Sequence, residues 1–318
     1  TQEMGWIGAE DAGRFLMAAN AQARSKSRNA PQGPSPFAVA GDVLAPAKFT
    51  DPLITAKGEK RASVALDNLD TLWFATGTLC NLACANCYIE SSPTNDALIY
   101  MTAAEVERYL DEIAVSGRTT REIAFTGGEP FMNPEIIAMI EGPLSRGFEV
   151  LVLSNAMAPL RRHEADLVRL KNAYGDKLTI RVSIDHHTQN VHEAERGANS
   201  WAPMIDGLRW LSANGFSLAA AGRSLAGETQ DQARLAYAAL FAGEGITIDA
   251  RDPARLVLFP EMDASADVPE ISEGCWDILG KTPSQQMCAT SRMVVHRKGE
   301  ETARVAACTL LPLSLIHI

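Results

Sequence analysis

Along residues 71–260, short apolar runs alternate with longer segments whose apolar residues recur every three or four positions. The runs are TLWFAT (71–76), EIAFTG (122–127), EVLVLSN (149–155), LTIRVSID (178–185), FSLAAAG (216–222) and RLVLF (255–259). Runs of this length and composition read as strands, and a helical segment between each pair makes the strands parallel. Helix starts are legible too. Thr102 and Glu105 form a capping box before Val106, Leu110 and Ile113, and Asn133 and Pro134 open a helix whose apolar face includes Ile136, Ile137 and Ile140. Further helices are expected after Ser200, burying Ile205, Leu208 and Leu211, and after Thr229, burying Leu235, Ala239 and Leu240. The pattern predicts an α/β fold, a partial (β/α)6 TIM-like barrel with its helices outside. In LTIRVSID the period of two puts Leu178, Ile180, Val182 and Ile184 on one face. Arg181, Ser183 and Asp185 lie on the other, which would face the barrel lumen.

The flanks read differently. Residues 1–70 are irregular, with a helix expected over AEDAGRFLMAANAQA (9–23) and then a Pro/Gly-rich connector; an extension or linker without chemistry is expected. Residues 261–318 read as a small cysteine-containing extension. Within it, CATSRMVVHRKGEETARVAAC (288–308) has the form of a hairpin turning at Lys298 and Gly299. The start at Thr1 and the apolar tail SLIHI suggest that both ends are truncated or non-native.

Composition narrows the function. A chain of 318 residues, 46% hydrophobic, can bury the core of one large domain, and a net charge of -10 repels phosphate backbones. No nucleic-acid partner is expected. The basic cluster RSKSR, Arg24 to Arg28, lies in a Ser/Asn/Pro/Gly-rich stretch and reads as solvated linker. The sequence has no apolar run long enough to cross a bilayer, so a cytoplasmic protein with no membrane partner is expected. In that compartment thiols stay reduced, and six cysteines point to metal or catalysis before disulfides. They form two triplets: Cys80, Cys84 and Cys87, then Cys275, Cys288 and Cys308.

Each unusual segment follows a strand: CNLACANCY (80–88) the first, TGGEP the second, SNAM the third, SID the fourth and GR the fifth. In a β/α barrel those C-terminal strand ends build the active site. A Cys-x3-Cys-x2-Cys loop can wrap one metal centre with three thiolates; an iron-sulfur cubane normally takes four, so three leave one iron open to a small molecule. Zinc in a closed tetrahedron would need a fourth ligand, and no fourth cysteine or histidine lies nearby. Other readings of the neighbouring residues stay open. GGEP alone suits an ordinary strand-to-helix turn, Ser183 and Asp185 suit satisfied polar groups in the lumen, and Arg223 suits a buried ion pair. His163 and His296 read as surface or packing residues.

At CNLACANCY and GGEP the sequence resembles the radical S-adenosylmethionine superfamily over roughly residues 71–260. The resemblance implies a [4Fe-4S] cluster on Cys80, Cys84 and Cys87, with the amino and carboxylate groups of S-adenosylmethionine on the fourth iron. Its reductive cleavage would give methionine and a 5'-deoxyadenosyl radical that abstracts hydrogen from substrate, an oxidoreductase or transferase chemistry. Gly127, Gly128, Glu129 and Pro130 would bind the methionyl amino end, with Glu129 beside that cation. Asn155, Ser183 and Asp185 would meet the ribose and adenine, and Arg223 the methionyl carboxylate or the substrate. HEAERG (192–197) resembles a stretch common after the fourth strand in peptide-modifying members. Asn86 stands where the family usually has an aromatic residue, and Tyr88 would take over its packing; His186, where many relatives have glycine, would reach the substrate. The second triplet and its hairpin resemble the SPASM and twitch extensions, implying a second iron-sulfur cluster on Cys275, Cys288 and Cys308. A reductant such as flavodoxin or ferredoxin and a peptide or small-molecule substrate would be the partners; no catalytic side chain is assigned. A non-catalytic iron-sulfur sensor or electron carrier, or a zinc-stabilised binding module, are the competing readings.

Overall fold

The computed structural model describes residues 30–31, 33–37, 42, 44–259 and 267–310; the expected helix at 9–23, the basic cluster and the SLIHI tail lie outside them. Six strands stand where the pattern placed them: β1 (Thr71–Ala75), β2 (Glu122–Thr126), β3 (Glu149–Ser154), β4 (Leu178–Ser183), β5 (Ser217–Arg223) and β6 (Leu256–Phe259). Each pairs in parallel with the next, and the sheet remains open as in a partial barrel. Between them run α1 (Ala103–Ser116), α2 (Ile136–Ser145), α3 (Ala158–Arg161), α4 (Glu164–Tyr174), α5 (Gln189–Arg196), α6 (Trp201–Ala213) and α7 (Gln230–Glu244). A further short helix, α8 (Cys275–Leu279), precedes the expected hairpin.

The helix starts follow their caps. Thr102 caps α1 with a complete capping box to Glu105, and Thr229 caps α7 in the same way with Gln232. Regular α2 begins only at Ile136, because Pro130–Met132 first makes a 3-10 turn and the Asn133 side chain accepts the Glu135 N–H. One apolar face is misplaced by the sequence reading. On α7 the buried ridge is Ala233, Tyr237 and Phe241, whereas Leu235 is 61% exposed and Ala239 is exposed. Positions 233, 237 and 241 are four apart and share one side of the helix; 235 and 239 fall nearly opposite.

The outer core joins the helices to alternate strand residues. Phe74, Phe125, Val152, Ile180 and Val182 are fully buried against residues such as Ile136, Ile140, Leu167 and Leu208. On β4 the alternation holds, with Leu178, Ile180, Val182 and Ile184 buried and Arg181, Ser183 and Asp185 facing the lumen cleft.

The extension continues the sheet. β7 (Ser291–Val295) lies parallel along the free edge of β1, and β8 (Arg304–Ala306) returns antiparallel to it, giving the strand order β6-β5-β4-β3-β2-β1-β7-β8. The hairpin is pinned at its turn: His296 Nδ1 lies 2.7 Å from Glu105 Oε1, and Nε2 lies 3.0 Å from the Glu300 carbonyl. His296 is a packing residue, 9% exposed. Met293, Val295 and Ala306 meet Ala75 and Leu98 in a small second core. Among the described residues no helix is long and apolar enough to cross a membrane.

Candidate functional site

The loops after β1 and β2 meet backbone to backbone. Gly128 N–H donates to Gly77 O at 2.8 Å, and Glu129 N–H to Leu79 O at 3.1 Å. A Cβ on Gly128 would stand 2.1 Å from Leu79 O; one on Gly127, whose φ is +140°, would stand 2.6 Å from Gly77 O. Both positions therefore need glycine for the contact between the two loops. That contact fixes Leu79, and with it Cys80, beside the Gly127–Gly128 turn.

Glu129, expected beside a ligand cation, sits behind the turn with 1% exposure. Its carboxylate accepts the Asn155 N–H at 2.8 Å, the Ser154 hydroxyl at 2.9 Å and the Phe131 N–H at 3.2 Å. Burial pushes its pKa up to about 7 against these three donors. The carboxylate thus ties the ends of β2 and β3 together. Asn155 completes the junction, donating from Nδ2 to Asn81 Oδ1 at 2.9 Å and accepting the Met157 N–H at 3.1 Å.

The three thiols of CNLACANCY line the cleft above this junction: Cys80 is buried, and Cys84 and Cys87 are half-buried. Leu82 N–H points to Cys80 Sγ and Ser91 N–H to Cys87 Sγ, each at 3.4 Å. Desolvation raises Cys80 well above an ordinary thiol and takes Cys84 to about 12, even with the Arg196 guanidinium pulling Cys84 down. Such thiols stay protonated unless a metal displaces the proton, and sulfurs already facing backbone N–H groups suit iron-sulfur ligation. A single zinc ion would need thiolates about 3.8 Å apart, given bonds of about 2.3 Å in a tetrahedron. Among the described residues, the one set of three His, Cys, Asp or Glu ligand atoms within 4.8 Å of one another is His186, His187 and Glu228. The cysteines are therefore not gathered around a single-ion centre, whereas a cubane holds its thiolates at separate corners.

A charged clasp closes over the cysteine loop. Asp185 at the end of β4 pairs with Arg196 of α5 at 2.5 Å and with Arg223 of β5 at 3.4 Å. Burial alone would raise this carboxyl, but the two guanidiniums outweigh it and hold it below the usual carboxylate range. The neighbouring Glu195 accepts the Asn86 N–H at 2.9 Å through its side chain and the Ala85 N–H at 2.7 Å through its carbonyl. Arg223 donates to the Asn86 carbonyl at 3.1 Å. The Asn86 backbone, between the second and third cysteines, is thus held from α5 and from β5. The N-terminal segment also reaches this mouth: the Arg223 guanidinium lies over Phe37, 5.3 Å from the ring centroid.

The cleft brings together most of the residues singled out from sequence. Cys80, Cys84, Cys87, Tyr88, Gly127 and Gly128 line it with Asn155, Ser183, Asp185 and Arg223, around about 660 Å³ of space counted out to solvent. Glu129 and Pro130 do not line it; both are buried behind the turn. Tyr88 is 38% exposed, and its hydroxyl lies 3.2 Å from Thr126 Oγ1. A second lobe shares Asn86, Tyr88 and Arg223 and runs inward over Trp73, Phe259, Met293 and Leu310. Glu195, Arg196, Asn81 and Phe37 were not assigned roles from sequence. For the first two the signal was present in HEAERG, where an acid and a base flank each other at the end of a short helix.

The second triplet is looser. Cys275, Cys288 and Cys308 are half-buried and free. Residues next to the last two touch, with Thr309 Oγ1 3.1 Å from Met287 Sδ, while Cys275 Sγ lies 3.6 Å from Ser272 Oγ.

Comparison with known proteins agrees with this site. The family model of the Radical SAM superfamily matches residues 75–233, half of the chain. The antilisterial bacteriocin subtilosin biosynthesis protein AlbA of Bacillus subtilis (strain 168) is 31% identical over 138 residues, 43% of this chain and 29% of that protein. The mycofactocin maturase MftC of Mycobacterium ulcerans (strain Agy99) is 26% identical over 225 residues, covering 70% of this chain and 53% of that one. The chain thus spans less than two thirds of the length of either relative. In fold it resembles Streptococcus suis SuiB bound to S-adenosylmethionine, with a TM-score of 0.53 at 12% identity over 77% of this chain and 61% of that chain. The family match and the cysteine-lined cleft at the ends of a partial barrel agree: this chain belongs to the radical S-adenosylmethionine superfamily.

Proposed function

We propose that the chain holds a [4Fe-4S] cluster on Cys80, Cys84 and Cys87, binds S-adenosylmethionine against it, and modifies a peptide. When bound, the pair supplies one-electron reductive cleavage of the sulfonium and hence a radical that takes hydrogen from substrate. The observation that carries this reading is one cleft, at the C-terminal ends of parallel strands, lined by all three cysteines, the Gly127–Gly128 turn, Asp185 and Arg223.

The chain's own residues have distinct tasks. Cys80, Cys84 and Cys87 hold the metal and, being three, leave a position open. The Gly127–Gly128 backbone forms the wall nearest Cys80, with Glu129 and Pro130 bracing it from behind. Asn155, Ser183 and Asp185 would meet the nucleoside, and Tyr88 lines the same cleft. Arg223 and Arg196 keep Asp185 ionised, and Arg223 and Glu195 hold the cysteine loop through the Asn86 backbone. Residues 71–260 form the cofactor core in this reading, and residues 261–318 extend it.

A peptide is favoured as substrate because AlbA, similar over 43% of this chain, is named for the biosynthesis of a bacteriocin, a peptide product. The inner lobe also supports it, since Trp73, Phe259, Met287, Met293 and Leu310 give an apolar floor long enough for side chains, with Arg181 and Arg223 placed for carbonyl oxygens or carboxylates. A second iron-sulfur cluster on Cys275, Cys288 and Cys308 belongs to the same proposal, supported by the contact that brings the Cys288 and Cys308 segments together. A small one-electron protein of the flavodoxin or ferredoxin class would be the reductant.

The test uses anaerobically reconstituted, reduced protein mixed with S-adenosylmethionine, with 5'-deoxyadenosine, iron and sulfide quantified. The variant carrying Cys80→Ala, Cys84→Ala and Cys87→Ala should make no 5'-deoxyadenosine and lose about four irons per chain. Equal product from that variant, or zinc in place of iron in the unaltered protein, would refute the proposal.

A further inference from the structure

Outside the cleft, one group of side chains is left without employment by this chemistry. His186 and His187 follow Asp185 at the end of β4, and Glu228 lies in the loop between β5 and α7. None of the three lines the cofactor cleft or its inner lobe. Their ligand atoms converge all the same: His186 Nε2 and His187 Nδ1 each stand 4.0 Å from a Glu228 oxygen, and all three atoms lie within 4.8 Å of one another. His186 is 3% exposed, and both converging ring nitrogens are buried with no hydrogen-bond partner among the described residues. Two orphaned imidazole nitrogens aimed at one carboxylate are costly unless something occupies the space between them. Desolvation, with the second imidazole adding to it, takes His186 to about 4, and desolvation also lowers His187.

We propose that His186, His187 and Glu228 form a binding site for a divalent first-row transition ion such as Zn2+. The donor set of two neutral imidazoles and one carboxylate is one that such ions favour, and it leaves a position for water or another ligand. The geometry is close to what ligation requires. Bonds of about 2.0 Å at tetrahedral angles put donor atoms about 3.3 Å apart, so contraction by no more than about 1.5 Å closes the site, within reach of side-chain rotations. Outer partners are in place: His186 Nδ1 accepts the Thr188 N–H at 3.1 Å and lies 2.8 Å from Thr188 Oγ1, so ligation through Nε2 shifts the ring proton to Nδ1, where the Thr188 hydroxyl can accept it in a hydrogen bond, and Glu228 Oε2 accepts the Leu225 N–H at 3.1 Å. The ion would pin the loop after β4 to the loop after β5. Asp185 and Arg223 stand at the roots of those loops, with Arg223 N–H on the Asp185 carbonyl at 3.0 Å, so the ion would steady the clasp over the cysteines.

The test needs no S-adenosylmethionine, so its outcome is independent of the proposed reaction. Cluster-reconstituted full-length protein, its Glu228→Gln variant and its His187→Ala variant are equilibrated with Zn2+, passed through a desalting column and assayed for bound zinc. X-ray absorption at the zinc edge then identifies the ligands. The unaltered protein should retain one zinc more than either variant, with nitrogen and oxygen neighbours at about 2.0 Å, and each variant should bind at least about tenfold more weakly. Equal zinc in all three proteins, or sulfur neighbours at about 2.3 Å alone, overturns the proposal. Glu228 is half-buried on a loop, so Glu228→Gln decides the matter if His187→Ala fails to fold.

Discussion

Changing Gly128 to alanine tests whether the two loops really meet backbone to backbone beneath the cysteines. The new Cβ would lie 2.1 Å from Leu79 O, 2.6 Å from Leu79 C and 2.9 Å from Thr78 O. Relief needs a separation of about 1 Å or more, and the obstacle is backbone that cannot swing aside as a side chain would. The two hydrogen bonds across the contact, Gly128 N to Gly77 O and Glu129 N to Leu79 O, would stretch or break. Each contributes about 0.5–1.5 kcal/mol, and overpacking adds about 1–3 kcal/mol. The stiffer unfolded chain returns about 0.4–1 kcal/mol, so a net loss of about 1–6 kcal/mol is expected. Gly243→Ala is the control: it lies in α7 with nothing within 4 Å of its added Cβ, and should be neutral or stabilising by up to about 1 kcal/mol. Denaturant unfolding under anaerobic conditions gives the stabilities, and iron per chain reports the site. Gly128→Ala should unfold early and hold less iron. A Gly128→Ala protein as stable as the control, with full iron, would refute the close approach.

Three further outcomes follow from the same structure. Arg196→Ala leaves Asp185, whose side chain is 8% exposed, with Arg223 as its remaining partner, and should cost about 3 kcal/mol in denaturant unfolding; a cost under about 1 kcal/mol would mean that the clasp is not a buried pair. His192 is fully buried, and burial first, then Arg196, lowers it to about 3. Protons therefore bind the unfolded chain first as the pH falls below about 6.5, and the stability present above that value is lost toward pH 3, by about 2 kcal/mol between pH 7 and pH 5. His192→Phe should remove that part of the pH slope, and parallel slopes for both proteins would contradict the assignment. Leu235→Ala should change stability by less than about 0.5 kcal/mol and Tyr237→Ala by about 3 kcal/mol or more; the reverse order would restore the face of α7 read from sequence.

What the sequence disclosed was local. The alternation in LTIRVSID placed its two faces correctly, the capping box at Thr102 and the start expected after Thr229 marked where helices begin, and six apolar runs pointed to the order of the parallel sheet. The cleft residues were legible because each follows a strand end, and strand ends converge in any barrel of this kind. Long-range packing was not legible. The hairpin at 291–306 could be read from its turn, but its attachment along β1 depends on pairing residues some 220 positions apart, which no local pattern encodes. In QDQARLAYAALFAGE apolar residues occupy every side of the helix, so the choice between Leu235 and Tyr237 rested on what packs against it. Glu129 shows the same limit from the polar side. A carboxylate after two glycines reads as a ligand group, and only the three donors around it reveal a brace.

The proposed reaction rests on three cysteines holding a cluster with one iron open to S-adenosylmethionine. The measurement that tests it most directly is electron paramagnetic resonance of the reduced, reconstituted protein before and after S-adenosylmethionine is added, compared with a variant in which Cys275, Cys288 and Cys308 are alanine. The spectrum should change on addition in both proteins, because the responding cluster is the one on Cys80, Cys84 and Cys87. A reduced cluster whose spectrum does not change with S-adenosylmethionine in either protein would contradict it.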